Sequence, residues 1–223
     1  MPERLEAADG VALSAEFTLT ATARSRGTIL LFHMAGSNRG KYAAIAPELA
    51  RRGFATLAID QRCGGDAFGQ RNETAAAVGR DPGYRAALPD LEAALGWARA
   101  RGGPDRVLVW GSSYSAALVF LLAAARPVSA VLAFSPGEYL RGASVRDAAA
   151  RVSCPVFVTA DADPTEEAAA AAILAAVPGS PKRQHRPQAG AHGSSILRAD
   201  RNPRGAAAAW AAVGAFLDEV APG

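Results

Sequence analysis

The sequence predicts an α/β protein with a mostly parallel β-sheet covered by helices on both faces. Short apolar segments rich in Val, Ile, Leu and Phe alternate along the chain with segments whose apolar residues recur at helical spacing. The strand-like segments are apolar throughout, which is typical of strands buried on both faces. With 223 residues, half of them hydrophobic, the chain is expected to form a single domain, 1–223, with a sizeable core.

Local sequence signals predict the strands and helices of the first half of the chain. Asp9-Gly10 between loosely alternating segments indicates a hairpin, which would add antiparallel strands at one edge of the sheet. The elements that follow are a strand at 27–32, a helix at 42–52, a strand at 54–59 and a helix at 85–101 ended by Gly102-Gly103. The polar stretch 60–83 is too long for an ordinary connection, so we expect a functional or mobile loop there.

The stretch 106–125 is the most informative part of the chain. It reads RVLVWGSSYSAALVFLLAAA, which predicts a buried strand, a tight turn and a helix rich in Ala and Leu. This context fits the nucleophile elbow G-x-S-x-G, with Ser113 at the serine position. The remaining predicted elements are a strand at 128–134, a helix at 144–151, a strand at 155–159, a helix at 165–177, a short strand at 184–188 and a helix at 205–220.

A serine nucleophile requires a general base, and the base requires an acid that orients it. In a parallel sheet these groups are expected at the carboxyl ends of the strands. Of the three histidines, only His192 lies downstream of Ser113 on a loop flanked by glycines; His33 ends an early strand and His185 lies in a charged edge segment. His192 is therefore the predicted base.

The predicted acid lies in the loop that follows the strand at 155–159. Asp163 is favoured over Asp161 because it precedes Pro164, which places it in a turn. Asp163 has an alternative role as the cap of the following helix, a role that Thr165 could also fill.

The oxyanion of an acyl-transfer reaction requires two N–H donors. The backbone N–H of Tyr114, at the start of the elbow helix, is the first candidate. The second is the N–H of Ala35 in the loop HMAGSNRG, with Met34 as the alternative.

Other classes of function have weaker support. The net charge of +3 comes from scattered arginines, and no basic stripe interleaves with aromatic residues, so a nucleic-acid partner is not expected. The glycine-containing loops match neither dinucleotide nor phosphate motifs, and no His or Cys spacing fits a zinc site, so no cofactor or metal is expected. Cys63 and Cys154 form no disulfide framework. Neither a secretory signal nor a membrane span is visible, which predicts a cytoplasmic protein.

Several segments together resemble the α/β-hydrolase superfamily, and within it the dienelactone hydrolase-like and small serine esterase group. These segments are HMAGSNRG (33–40), AIDQRCGG (58–65), GSSYSA (111–116), TADADP (159–164) and GAHG (190–193). The resemblance implies an α/β-hydrolase fold, and the short segment between Phe134 and Pro155 predicts that no large cap domain is inserted. The resemblance also implies a catalytic triad of Ser113, Asp163 and His192, with an oxyanion hole formed by the N–H groups of Ala35 and Tyr114.

The chain departs from the family pattern at three positions. Ser115 stands where the elbow usually has glycine, Met34 stands where glycine commonly follows the strand-end histidine, and Ser113 replaces the cysteine nucleophile of dienelactone hydrolases proper. We expect a hydrolase that cleaves small or short-chain carboxylic esters through an acyl-enzyme on Ser113. The alternatives are a thioesterase, peptidase or perhydrolase that uses the same triad, or a non-catalytic binding protein.

Overall fold

One eight-stranded β-sheet forms the centre of the structure. The computed structural model describes residues 1–101, 106–179 and 181–223, and the predicted glycine end of a helix at 102–103 lies outside these ranges. The strands are β1 (Pro2–Glu6), β2 (Ala12–Thr18), β3 (Gly27–Phe32), β4 (Phe54–Ile59), β5 (Val107–Ser112), β6 (Ala130–Phe134), β7 (Val156–Thr159) and β8 (Lys182–His185). Their order across the sheet is β1-β2-β4-β3-β5-β6-β7-β8.

The strand directions agree with the sequence. The predicted hairpin pairs β1 with β2, and β2 is also antiparallel to β4. All pairs from β4 to β8 are parallel. Because β5 lies between β3 and β6, the segments that leave the carboxyl ends of these three strands meet at one edge of the sheet.

Seven α-helices cover the described sheet. They are α1 (Ala46–Arg51), α2 (Glu73–Val78), α3 (Leu88–Ala100), α4 (Tyr114–Ala125), α5 (Val145–Ala149), α6 (Pro164–Ala176) and α7 (Ala206–Val220). The apolar sides of α1 and α7 pack on one face, whereas α3, α4, α5 and α6 pack on the other. The prediction of a mostly parallel sheet with helices on both faces is therefore confirmed.

The connection between β6 and β7 is short. Residues 135–155 contain one helix, α5, of five residues. No large cap domain is inserted at this point, as predicted. Within the described ranges, none of the helices combines the length and the hydropathy required to cross a bilayer.

The stretch 60–83, expected to be a functional or mobile loop, contains the helix α2 and is held by asparagine side chains. The side chain of Asn72 caps α2 by accepting a hydrogen bond from the Ala75 N–H, and its amide donates to the carbonyl of Ser37. The amide of Asn38 faces three carbonyl oxygens of this stretch, at 2.9 to 3.1 Å. The stretch is therefore held against the loop that follows β3.

Candidate active site

Ser113 forms the sharp turn between β5 and α4. Its backbone has φ 60° and ψ −122°, a conformation that is unfavourable for a residue with a side chain. The turn is held by a hydrogen bond from the Ser113 N–H to the carbonyl of Phe134, at 2.8 Å. The Ser113 hydroxyl has no hydrogen-bond partner among the described residues, so it is available to a substrate.

Gly111 allows the elbow to close. A Cβ at position 111 would lie 2.2 Å from the carbonyl oxygen of Ser115 and 2.6 Å from the Cα of Ala116. The first turn of α4 therefore lies directly against β5, and only glycine fits at this contact. This explains the first glycine of the motif on steric grounds.

The loop that carries His192 is anchored over the elbow by two serine hydroxyls. The Gly193 N–H donates to Ser135 Oγ, and the Ser194 N–H donates to Ser112 Oγ, both at 2.9 Å. Gly193 has φ 63°, and a Cβ there would lie 2.2 Å from Ser112 Oγ. These contacts hold the loop that carries His192 next to Ser112 and the Ser113 turn. The role of His192 as the base stays a prediction.

The structure does not bring Asp163 to His192; Glu166 occupies that place. The Nδ1 of His192 lies 2.7 Å from Glu166 Oε1. Asp163 instead begins α6, and its carboxylate accepts hydrogen bonds from the N–H groups of Thr165 and Glu166. The pairing of His192 with Asp163 is therefore corrected. The physical reason is that the Asp163 carboxylate caps the N-terminus of α6, so the carboxylate that contacts His192 is that of Glu166, in the first turn of the helix.

The alternative acid, Asp161, forms no hydrogen bond with the imidazole in the described part of the chain. Its Oδ1 accepts a hydrogen bond from the Ala162 N–H, at 2.7 Å. The sequence D-P-T-E at 163–166 contained a signal for this arrangement, because an acidic residue three positions before a glutamate is typical of a helix start.

The environment of Glu166 favours the carboxylate form. Burial by itself would raise its pKa, but hydrogen bonds from Ser135 and His192 outweigh this effect, so the pKa lies below its usual value. A carboxylate at this position fixes the proton of His192 on Nδ1 and leaves Nε2 free to act as a base.

The loop after β3 is fastened to the elbow helix by a buried polar network. The Ser115 hydroxyl donates to the carbonyl of His33 and accepts a hydrogen bond from Gln61 Nε2, at 2.8 Å. The Gln61 N–H donates to His33 Nε2, at 3.0 Å, so the ring proton lies on Nδ1 and is donated to the Met34 carbonyl. Burial lowers the pKa of His33 to about 4, so the ring is neutral near pH 7.

The candidate oxyanion donors lie on the two segments joined by this network. The N–H groups of Met34, Ala35 and Tyr114 have no hydrogen-bond partner among the described residues. Tyr114 begins α4, where such free donors are expected. Ala35 lines a cavity of about 260 Å³ together with Cys63 and Tyr84. Cys63 is itself buried, which raises the pKa of its thiol to about 12 and makes it a poor nucleophile.

Lys41 is a buried cation that the sequence did not single out. Its Nζ donates to Ser195 Oγ at 2.7 Å and lies 3.4 Å from Met34 Sδ, so it connects the His192 loop with the loop after β3. No carboxylate pairs with it in the described ranges. Burial, and to a smaller extent the charges of Arg198 and Arg201, lower its pKa to about 7.

Comparisons with known proteins agree with this architecture. A family profile described as serine aminopeptidase, S33, matches residues 23–160. No curated protein sequence matches the chain significantly. An esterase of Pyrococcus furiosus has 17% identity and a TM-score of 0.71, with 99% of this chain and 90% of that chain covered.

Two further solved structures are similar over nearly the whole chain. A dienelactone hydrolase from Anabaena variabilis has 19% identity and a TM-score of 0.72, and 99% of each chain is covered. A cold-adapted esterase from an Arctic intertidal metagenomic library has 23% identity and a TM-score of 0.70, with 99% of this chain and 92% of that chain covered. At these identities the structural likeness establishes the α/β-hydrolase fold.

Removing the Ser115 hydroxyl should destabilise the protein. In Ser115→Gly and Ser115→Ala the His33 carbonyl and the Gln61 amide lose a buried partner, so we expect the free energy of unfolding to fall by about 1–3 kcal/mol. Urea unfolding measures this change. Ser113→Ala is the matched control, because that hydroxyl has no protein partner and its loss should change stability by less than about 0.5 kcal/mol. Equal effects at the two positions would contradict the role of Ser115.

Replacing Lys41 should stabilise the protein in a pH-dependent manner. The folded pKa of about 7 lies below the ordinary lysine value of 10.5, so burial of the charged amine costs stability at and below pH 7, and this cost disappears as pH rises towards 10.5. Lys41→Met should therefore raise the free energy of unfolding by roughly 2–4 kcal/mol near pH 7, with a smaller gain at pH 9.5. Lys182→Met, at the other lysine, should show no such trend. A gain that does not shrink with pH would overturn this account.

Proposed function

The chain belongs to the family described as serine aminopeptidase, S33, within the α/β-hydrolase superfamily, and from this premise we propose that it hydrolyses carboxylic esters with small or short-chain acyl groups. The observation that carries the proposal is the hydrogen bond between His192 and Glu166 of α6, with His192 on a loop anchored next to the strained Ser113 turn. The absence of a large insertion between β6 and β7 favours an open site that admits small esters.

In the first half of the proposed reaction, Ser113 Oγ attacks the ester carbonyl and His192 Nε2 takes its proton. Glu166 keeps the imidazole oriented and stabilises its positive charge. The N–H groups of Tyr114 and Ala35 bind the oxyanion of the tetrahedral intermediate. Collapse of this intermediate breaks the ester C–O bond, and His192 returns the proton to the departing alcohol.

In the second half, water hydrolyses the acyl-enzyme. His192 takes a proton from the water while the resulting hydroxide attacks the acyl carbon, and the second tetrahedral intermediate uses the same N–H donors. Its collapse releases the carboxylic acid and returns the proton to Ser113. No cofactor or metal takes part in this scheme.

Ser113→Ala should abolish ester hydrolysis and covalent labelling. The variant lacks the nucleophile, so the kcat for p-nitrophenyl acetate should fall by at least about 10³-fold. A fluorophosphonate probe should label the wild type, and peptide mapping should find the label on Ser113. Ser112→Ala is less suitable as a control because Ser112 holds the His192 loop, so Ser153→Ala, remote from the elbow, serves instead. Labelling at another residue, or full activity in Ser113→Ala, would contradict the proposal.

The choice between Glu166 and Asp163 is tested by a matched pair of variants. Glu166→Gln removes the charge that holds the imidazole, and we expect kcat to fall by about 10³–10⁴-fold with little change in KM. Asp163→Asn keeps an oxygen for the helix N-terminus, so the loss of activity should stay below about tenfold. Steady-state kinetics on p-nitrophenyl acetate measure both. The reverse ranking would return the acid role to Asp163.

A further inference from the structure

Ser135, the residue that follows β6, has a backbone conformation that few residues with a side chain adopt. Its φ is 54°, in the region that favours glycine, and the residue is buried, with 1% of its surface exposed. Its N–H donates to the carbonyl of Thr159, at the end of β7, at 2.7 Å. Such conformations are costly, and they cluster at functional sites. Since glycine would relieve the strain, the hydroxyl is the feature of this position that requires an explanation.

The end of β6 contacts the segments that carry all three candidate triad residues. The Phe134 carbonyl accepts a hydrogen bond from the Ser113 N–H, at 2.8 Å. The Ser135 hydroxyl accepts one from the Gly193 N–H, at 2.9 Å, in the loop of the candidate base. The same hydroxyl is hydrogen-bonded to the carboxylate of Glu166. A serine hydroxyl has one proton to donate and lone pairs that accept, so it can bind both partners at once.

The Glu166 carboxylate needs a second donor besides the imidazole. It extends from the first turn of α6 on a side chain with one more rotatable bond than aspartate, so more rotamer freedom must be lost to fix it. Water competes for it, because the side chains of Glu166 and His192 are 27% and 40% exposed. The contact from the Asp161 N–H to its Oε2 is long, at 3.3 Å. A buried donor such as the Ser135 hydroxyl therefore restricts the orientation of the carboxylate more than solvent can.

We propose that Ser135 is a positioning residue of the active site, whose hydroxyl holds the Glu166 carboxylate and the His192 loop in position relative to each other. The inference rests on the proposed ester hydrolysis and on the roles of Glu166 and His192 in it. Ser135 acts through these two residues and not on the substrate. Because the Ser113 turn is bound to the preceding carbonyl, one two-residue segment at the end of β6 sets the relative positions of nucleophile, base and acid.

Two variants separate the hydroxyl from the backbone conformation. Ser135→Ala removes the hydroxyl and keeps the strain at φ 54°, whereas Ser135→Gly removes both. Each variant loses a charge-assisted hydrogen bond to the acid, so kcat for p-nitrophenyl acetate should fall by about 10–100-fold in both, with little change in KM. Urea unfolding checks that both variants are folded under the assay conditions. Recovery of the wild-type kcat in the glycine variant, or full kcat in both, would overturn the inference.

Matched serine variants separate positioning of the acid from anchoring of the loop. Ser112→Ala removes the other hydroxyl that accepts from the His192 loop, at 2.9 Å, and this hydroxyl makes no hydrogen bond with Glu166 in the described ranges. Ser144→Ala removes an exposed hydroxyl that caps α5 by accepting from the Asp147 N–H, at 3.1 Å. The first variant should lower kcat through the loop alone, and the second should leave kcat unchanged.

The titration of Glu166 is a readout that a purely structural role would not move. Without the Ser135 hydroxyl the charged carboxylate loses a donor, so its pKa should rise. The NMR signal of the Glu166 carboxyl carbon, identified by its absence in Glu166→Gln, should titrate about one pH unit higher in both Ser135 variants and should not move in Ser112→Ala. Of the titratable groups near Glu166, His192 is present in every variant compared. Tyr139 stays neutral, because burial and then the charge of Glu166 raise its pKa.

The NMR titration requires no substrate, so the two proposals fail separately. If the wild type cleaves esters and Ser113 is labelled, but the titration midpoint of Glu166 is unchanged in the Ser135 variants, the positioning role is wrong and ester hydrolysis stands. If no ester is cleaved and Ser113 is not labelled, the proposed function fails, and the positioning role that rests on it fails as well.

Discussion

The hydrogen bond from the Ser115 hydroxyl to the His33 carbonyl joins the two halves of the candidate active site. The candidate nucleophile and one candidate oxyanion donor belong to the elbow between β5 and α4, whereas the other candidate donor belongs to the loop after β3. These segments are about 80 residues apart in sequence. Pairing in the β-sheet fixes the positions of the strands, but it does not fix the loops that follow them. The Ser115 hydroxyl, supported by Gln61, ties the loop backbone to the first turn of the helix. Its position follows from Gly111, which lets that turn lie directly against β5.

Polar side chains fix the remaining loops. Asn38 and Asn72 bind backbone carbonyls of the stretch that contains α2, and Ser112 and Ser135 bind the N–H groups that follow His192. Each of these hydrogen bonds contributes only about 1 kcal/mol, but a buried partner left without one costs more. The geometry of the site therefore depends on side-chain-to-backbone hydrogen bonds, and the hydrophobic core on the two faces of the sheet supplies the frame that holds them.

Most of the fold, and part of the site, follows from local sequence signals. Continuous apolar segments identify the parallel strands, and the small-residue turn after Trp110 identifies the elbow because few other structures place a strand and a helix so close. His192 is predicted as the base because it is the histidine downstream of Ser113 on a loop flanked by glycines. For the acid, the local signal is incomplete: D-P-T-E at 163–166 indicates a helix start at Asp163, but only the three-dimensional path of that helix decides that Glu166 contacts the imidazole. The asparagine contacts of 60–83 and the burial of Lys41 are equally long-range and leave no local pattern.

The position of His192, the candidate base, does not depend on the edge strand that its loop leaves. The loop leaves β8, an edge strand of four residues, KRQH, that is paired on one side only. Edge strands open more readily than central ones, and such opening would displace any residue that depended on the strand for its position. Here Ser112 and Ser135 connect the loop to the ends of the central strands β5 and β6. The edge can therefore fray, or acquire substitutions and short insertions during evolution, while the loop that carries His192 keeps its place next to the Ser113 turn.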